Sequence, residues 1–140
     1  MDRRGATMNK ILVVDNSLIS VWAYPEKGLI HHQMKTYCHG DEFRAGLTRG
    51  VEAMERYRAT KWLSDNRTHG ALPPEDEAWS VSVWFPRAKA AGWKRWGIVR
   101  PAKIIGQVFL DRIARMYAEH GIEARTFSDP DDAWKWLDEI

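Results

Sequence analysis

The strongest constraint on the fold is a change of hydrophobic period near Gly40. Before this point, short runs rich in β-branched and aromatic residues predict antiparallel strands near 10–15, 18–24 and 28–37. After it, apolar residues recur at helical spacing, and these helical segments alternate with short apolar runs. The predicted order is β-β-β-α-β-α-β-α-β-α: an N-terminal antiparallel meander followed by βα units, which gives one mixed sheet of the α/β class.

The second part of the sequence supplies the elements of the βα units. The predicted strands are 61–65, 94–99 and 122–127. The predicted helices are 42–58, 74–91, 102–119 and one from Pro130 onward. Asp41 and Asp129 are expected to be the N-caps of the first and last helix. Because parallel strands end at a common edge of the sheet, a site is expected at that edge.

Three of the predicted helices carry features that bear on packing. Gly46 and Gly50 in the first helix predict a close approach of its backbone to the sheet, since glycine otherwise costs helix propensity. Pro86 removes a backbone donor and predicts a kink or break near 82–86. In the third helix, the expected core stripe is Ile105, Phe109, Ile113 and Met116.

The composition restricts the class of protein. The 140 residues include 21 Lys plus Arg and 19 Asp plus Glu, a formal charge of +2, so no nucleic-acid partner is expected. No segment approaches the roughly 20 apolar residues of a membrane-spanning helix, so membrane insertion is not expected. Cys38 is the sole cysteine, which fits a cytoplasmic protein. We expect a flexible leader at 1–8 and a single α/β domain at 9–140.

Several segments together resemble the SpoIIAA-like family, which is grouped with STAS domains and the CRAL-TRIO-like lipid-binding fold. They are Asp65-Asn66-Arg67, Trp84-Phe85-Pro86, AGWKRWGIVRP at 91–101 and FSDPDDAWKWL at 127–137. The resemblance implies a non-enzymatic regulatory or interaction module. It also implies phosphorylation between Ser64 and Thr68, although the compact serine motif of the family is replaced here by a longer loop.

Polar residues at the ends of the parallel strands predict a small anionic ligand site. Asp65, Asn66, Arg67 and Arg100 are the expected contacts, with the two arginines holding negative charge. A purely structural alternative stays open, in which Asp65 pairs with Arg67 and Asp129 only caps a helix.

Surplus aromatic residues support a second hypothesis. The chain has eight tryptophans, and Trp79, Trp84 and Phe85 exceed what one helix face can bury. A protein partner, a second copy of the chain in a homodimer, or an apolar, lipid-like ligand would cover them. In the last case the chain is a carrier or sensor, with an aromatic-lined cavity of a few hundred Å3.

Other chemistries lack a motif. His31 and His32 are adjacent on a strand and point to opposite faces, so no metal site is predicted. Cys38 and Ser64 have no recognisable base, and neither a phosphate loop nor a dinucleotide fingerprint occurs. No cofactor and no catalytic residue are therefore expected.

Overall fold

The computed structural model of the protein describes residues 9–68 and 70–139, and the leader predicted at 1–8 lies outside them. Within the described residues, one six-stranded sheet has its strands in sequence order. Neighbouring strands run antiparallel from β1 to β3 and parallel from β3 to β6. The strands are β1 (Ile11–Asp15), β2 (Ile19–Tyr24), β3 (Leu29–Met34), β4 (Lys61–Asp65), β5 (Arg95–Val99) and β6 (Glu123–Phe127). The prediction of an α/β fold with an antiparallel and then parallel sheet is confirmed.

In the part of the chain that the structure describes, four helices cover the two faces of this sheet. They are α1 (Gly40–Tyr57), α2 at 74–90, α3 (Ile104–Glu119) and α4 (Pro130–Asp138). The larger core joins α1, α2 and α3 to one face, through side chains such as Leu47, Trp84 and Phe109. The smaller core packs Trp134 and Leu137 of α4 on the opposite face. The side chains of β2 to β6 therefore contribute alternately to two cores.

Helix α1 lies unusually close to the sheet. A Cβ atom at Gly50 would be 2.3 Å from Cη2 of Trp62, and one at Gly46 would be 2.9 Å from Cδ1 of Ile19. Both contacts are with strand residues, so the predicted close approach is confirmed.

The predicted N-cap of α1 is wrong. Asp41 lies in the first turn and His39 occupies the cap position without a capping side chain. The acceptor comes instead from α2, because Oδ2 of Asp76 accepts the Gly40 amide at 2.7 Å. The carboxylate of Asp76, which is distant in sequence, thus accepts an amide hydrogen at the start of α1 in place of the local carboxylate of Asp41. The cap of α4 is as predicted, since Asp129 accepts the Asp131 amide at 2.8 Å.

Helix α2 has an irregular middle. It consists of the α-helical segment Pro74–Trp79, the π-helical segment Ser80–Trp84 and the α-helical segment Phe85–Ala90. Just before Pro86, the Phe85 amide donates to the Ser80 carbonyl five residues earlier. Pro86 has no amide hydrogen to donate to the Ser82 carbonyl, and the hydrogen bonding over five residues in the π-helical segment accommodates this loss. The predicted irregularity is therefore present, but the helix does not break.

The predicted core stripe of α3 is partly wrong. Phe109 and Ile113 are buried, and Met116 is half-buried, but Ile105 is 68% exposed. The buried side of the helix follows Phe109, Leu110, Ile113 and Tyr117 instead. Because this helix has apolar residues on more than one face near its start, periodicity could not decide which face meets the sheet.

Candidate functional site

At the predicted edge, Asp65 and Arg67 form a two-point ion pair. Nε of Arg67 donates to Oδ1 of Asp65 at 3.0 Å, and Nη2 donates to Oδ2 at 2.7 Å. The hydrogen bond from the guanidinium to Asp65 raises the pKa of Arg67, and the charges of Asp65 and Asp129 act in the same direction. The positive charge of Arg67 is thus already compensated within the protein.

The other two predicted ligand contacts lie apart from this pair. Asn66 turns its side chain toward the larger core, where its Oδ1 meets Nε2 of His32 at 3.1 Å. Arg100 is exposed, and its Nη2 donates to Oε1 of Gln107 at 3.2 Å. Of the four predicted contacts, only Asp65 and Arg67 are joined to each other by side-chain hydrogen bonds within the described residues.

The two predicted phosphorylation positions differ in accessibility. Ser64 is 1% exposed, and its hydroxyl oxygen accepts the indole hydrogen of Trp96 at 2.8 Å. A kinase cannot reach this hydroxyl in the folded protein. Thr68 is exposed as a residue, and its hydroxyl donates to the Met34 carbonyl.

The three aromatic residues predicted to contact a ligand or partner also differ. Trp84 and Phe85 are buried, and Phe85 stacks on Tyr117 with ring centroids 4.1 Å apart. Trp79 is half-buried, and its indole contacts the ring of Phe43 and the guanidinium of Arg44. Two of the three therefore belong to the core.

A cavity of about 70 Å3 lies between the sheet and helices α1, α2 and α3. Nearly all of its lining residues are buried, and Leu72 in the loop after β4 is half-buried. Its walls are mainly aromatic and aliphatic. We call this space the central cavity, and it is lined by His32, Met34, Phe43, Leu47, Trp62, Ser64, Asn66, Leu72, Ser80, Trp84, Trp93, Trp96, Phe109, Leu110, Ile113 and Tyr117.

The central cavity resembles the predicted aromatic cavity only in part. Trp84 lines it, whereas Trp79 and Phe85 do not. Its volume of about 70 Å3 is also smaller than the few hundred Å3 expected. The π-helical segment of α2 directs both Ser80 and Trp84 to its wall, and the indole hydrogen of Trp84 is bonded to the Leu47 carbonyl at 2.8 Å.

Polar groups converge on the sheet side of the central cavity. The indole nitrogen of Trp62 donates to Nδ1 of His32 at 2.8 Å. Because an indole N–H can only donate, Nδ1 of His32 must accept. The neutral ring then carries its hydrogen on Nε2, which donates to Oδ1 of Asn66. This chain of bonds gives each of the three side chains a defined orientation.

Ser64 and His32 are close, but they do not form an activated nucleophile. The Ser64 oxygen is 3.5 Å from Nδ1 of His32, beyond a good hydrogen bond, and Trp62 already occupies that nitrogen. The Cys38 thiol is buried, and burial raises its pKa to about 11. Over residues 9–68 and 70–139, no cluster of three or more metal-ligating side chains is found.

The residues around His32 were missed by the sequence reasoning, although a signal for them exists. Alternation along β4 puts Trp62, Ser64 and Asn66 on one face, and the parallel register sets His32 beside Ser64. The sequence indicated that His31 and His32 face opposite ways. It could not show which of them faces the larger core.

Comparisons of the chain with family models, with curated proteins and with solved structures find no match. In the part of the chain that is described, no helix combines the length and apolarity needed to cross a membrane. The case for a function therefore rests on the geometry of the central cavity.

Proposed function

We propose that the chain is a non-enzymatic regulatory module that senses or carries a small, largely apolar ligand in the central cavity. The observation that carries this proposal is a cavity of about 70 Å3 between the sheet and the helices, with aromatic walls and a few convergent polar groups. Small-molecule sites typically combine these features. A volume of this size suits a ligand of only a few non-hydrogen atoms, since a cavity of roughly 150 Å3 accepts benzene.

The polar groups favour binding over catalysis. A nucleophile needs a base within hydrogen-bond reach, and the nitrogen of His32 nearest to Ser64 is engaged by Trp62. The raised pKa of Cys38 keeps its thiol neutral near pH 7. Cys38 does not line the central cavity, so the binding role of this site rests on the bonded state of His32.

The regulatory part of the proposal comes from the sequence likeness. On the same likeness, we propose that the α/β domain is of the SpoIIAA-like, STAS type and that the protein is cytoplasmic. The anionic ligand predicted from Asp65, Asn66, Arg67 and Arg100 has less support, because Arg67 is compensated by Asp65 and Asn66 points to the other face. Phosphorylation, if the likeness extends to it, would fall on Thr68, since Ser64 is buried.

A second candidate function, association with a second copy of the chain, is favoured by one exposed apolar surface on α3. Ile104, Ile105 and Val108 are 75%, 68% and 62% exposed. Lys103 and Asp111 flank them along the same helix, so antiparallel pairing of two α3 helices would bring opposite charges together. Sedimentation at high micromolar concentration tests this candidate: a dimer that Val108→Lys dissociates is expected, and a monomeric mass would exclude it.

The ligand-binding proposal is tested with xenon, which enters dry cavities without needing polar contacts. The side chains of Trp62, Trp84 and Trp96 line the central cavity. Their indole N–H signals in 15N NMR spectra report on binding there. We expect xenon pressure to shift these signals and to leave that of Trp136, on the opposite face, unchanged.

A matched pair of variants locates the effect. Ile113→Phe adds volume to the cavity wall and should abolish the xenon shifts, whereas Ile105→Phe adds the same ring type to the exposed side of α3 and should preserve them. Absence of xenon shifts in the unmodified protein would refute the proposed site.

A further inference from the structure

Among the residues that the structure describes, no charged side chain lines the central cavity. An ionised ligand group would therefore lose its hydration without gaining an opposite charge, which is strongly unfavourable. Neither of the two arginines predicted to hold negative charge lines the cavity, because Arg67 pairs with Asp65 and Arg100 bonds to Gln107. The ligand of this cavity should consequently be uncharged.

The hydrogen positions in the Trp62–His32–Asn66 network determine which hydrogen-bond donors and acceptors the sheet side of the cavity presents to a ligand. Trp62 fixes His32 with its hydrogen on Nε2, and Asn66 must then present its carbonyl oxygen to His32. The NH2 group of Asn66 keeps its donor capacity, because no acceptor for it is found among residues 9–68 and 70–139. Asn66 therefore offers the cavity a donor and not an acceptor.

Ser64 offers a donor for a related reason. Its oxygen already accepts the indole hydrogen of Trp96 at 2.8 Å. Among the described residues, the acceptor within reach of its own hydroxyl hydrogen is Nδ1 of His32, which is 3.5 Å away and engaged by Trp62. The hydroxyl hydrogen of Ser64 can thus turn to a ligand at little cost.

The opposite wall has no comparable polar group to spare. Tyr117 directs its hydroxyl to the Ser80 carbonyl at 3.4 Å, and the Ser80 hydroxyl donates to the Asp76 carbonyl at 2.7 Å within its own helix. Burial raises the pKa of Tyr117, so its phenol stays protonated. The remaining lining is apolar.

From these groups we infer that the ligand of the central cavity is a small uncharged molecule with one hydrogen-bond acceptor, such as a carbonyl oxygen, on a short apolar body. The oxygen would accept from the Ser64 hydroxyl and the Asn66 amide, while the aromatic walls contact the apolar part. This inference rests on the proposed function, because it specifies the ligand of the same cavity.

Acetone and isobutene test the inference, since they have nearly the same planar shape and differ in a carbonyl oxygen against a methylene group. Their affinities are measured by NMR titration of the cavity indole signals in the unmodified protein, in Ser64→Ala and in Ser80→Ala. The two variants make the same substitution in the lining of the same cavity, but the Ser80 hydroxyl is already bonded within its helix.

We expect Ser64→Ala to lower the affinity for acetone relative to isobutene by about fivefold, the effect of one lost hydrogen bond. Ser80→Ala should leave this ratio unchanged. In the unmodified protein, acetone should move the Asn66 side-chain NH2 signals downfield, and isobutene should not. The Asn66 signal decides the matter even if Ser64→Ala does not fold.

The possible failures are distinguishable. If neither xenon nor isobutene binds, the proposed function fails and the inference fails with it. If isobutene binds but acetone does not, or if acetone binds without a shift of the Asn66 signal, the ligand class is wrong while the cavity remains a binding site. An unchanged affinity ratio in a folded Ser64→Ala protein would likewise overturn the inference.

Discussion

The indole nitrogen of Trp62 lies 2.8 Å from Nδ1 of His32, and both residues are buried on neighbouring parallel strands. One donor-only group thereby decides the hydrogen position on a histidine whose other nitrogen meets Asn66. The polarity of the central cavity follows from this single contact.

Trp62→Phe removes that donor while it keeps an aromatic ring. We expect His32 to populate both neutral tautomers, because nothing then requires Nδ1 to accept, and 15N chemical shifts of the imidazole report this directly. The free energy of unfolding should fall by about 1–3 kcal/mol. Trp93→Phe is the control, because its indole bonds to the Arg95 carbonyl. A single unchanged His32 tautomer in Trp62→Phe would contradict the assignment.

Gly50→Ala tests the close contact between α1 and the sheet. The new methyl group would lie 2.3 Å from the rigid ring of Trp62, so we expect a loss of about 1–3 kcal/mol in unfolding free energy by chemical denaturation. Gly46→Ala is the matched variant, since its methyl would meet the flexible end of Ile19 at 2.9 Å. At Gly46, the gain in helix propensity from Gly to Ala, about 1 kcal/mol, offsets much of the cost of the contact with Ile19. Equal effects of the two substitutions would argue against the packing described.

Asp76→Ala tests the contact that begins α1. Asp76 is 2% exposed and accepts both the Gly40 amide and Nε of Arg44 at 3.0 Å. Its removal leaves two half-buried donors without an acceptor, and we expect a loss of about 1–3 kcal/mol, measured by thermal and denaturant unfolding. Glu55→Ala breaks a two-point pair with Arg87 on the surface and should cost less than about 1 kcal/mol. A larger loss of unfolding free energy in Glu55→Ala than in Asp76→Ala would contradict this prediction.

Cys38 predicts a pH dependence of stability. Burial raises the pKa of its thiol from 9.0 to about 11, so between these values the unfolded chain releases a proton that the folded chain retains. The unfolded state is thereby favoured, and the unfolding free energy should decrease as pH rises from about 9 to 11. Cys38→Ala should show a shallower decrease. At pH 8, a thiol reagent should modify the native protein only as fast as it opens, and rapid labelling would be inconsistent with the buried position.

Local patterns in the sequence were sufficient for the architecture. Alternating β-branched runs and helical periods predicted a mixed sheet with helices after the parallel strands, and Asp129 before Pro130 predicted a helix start that the structure confirms. Both depend on residues that are near one another in the chain, where hydrogen bonding and periodicity act without help from distant groups.

Tertiary structure decided the face of each element and the membership of the site. Asp76 replaced Asp41 as the cap acceptor of α1, and the core stripe of α3 excluded Ile105, because packing selects among faces that periodicity leaves equivalent. The same holds for the cavity: Trp62, His32 and Asn66 meet only when β3 and β4 pair in register. Which donors remain for a ligand depends on contacts between residues thirty or more positions apart, and no local pattern records them.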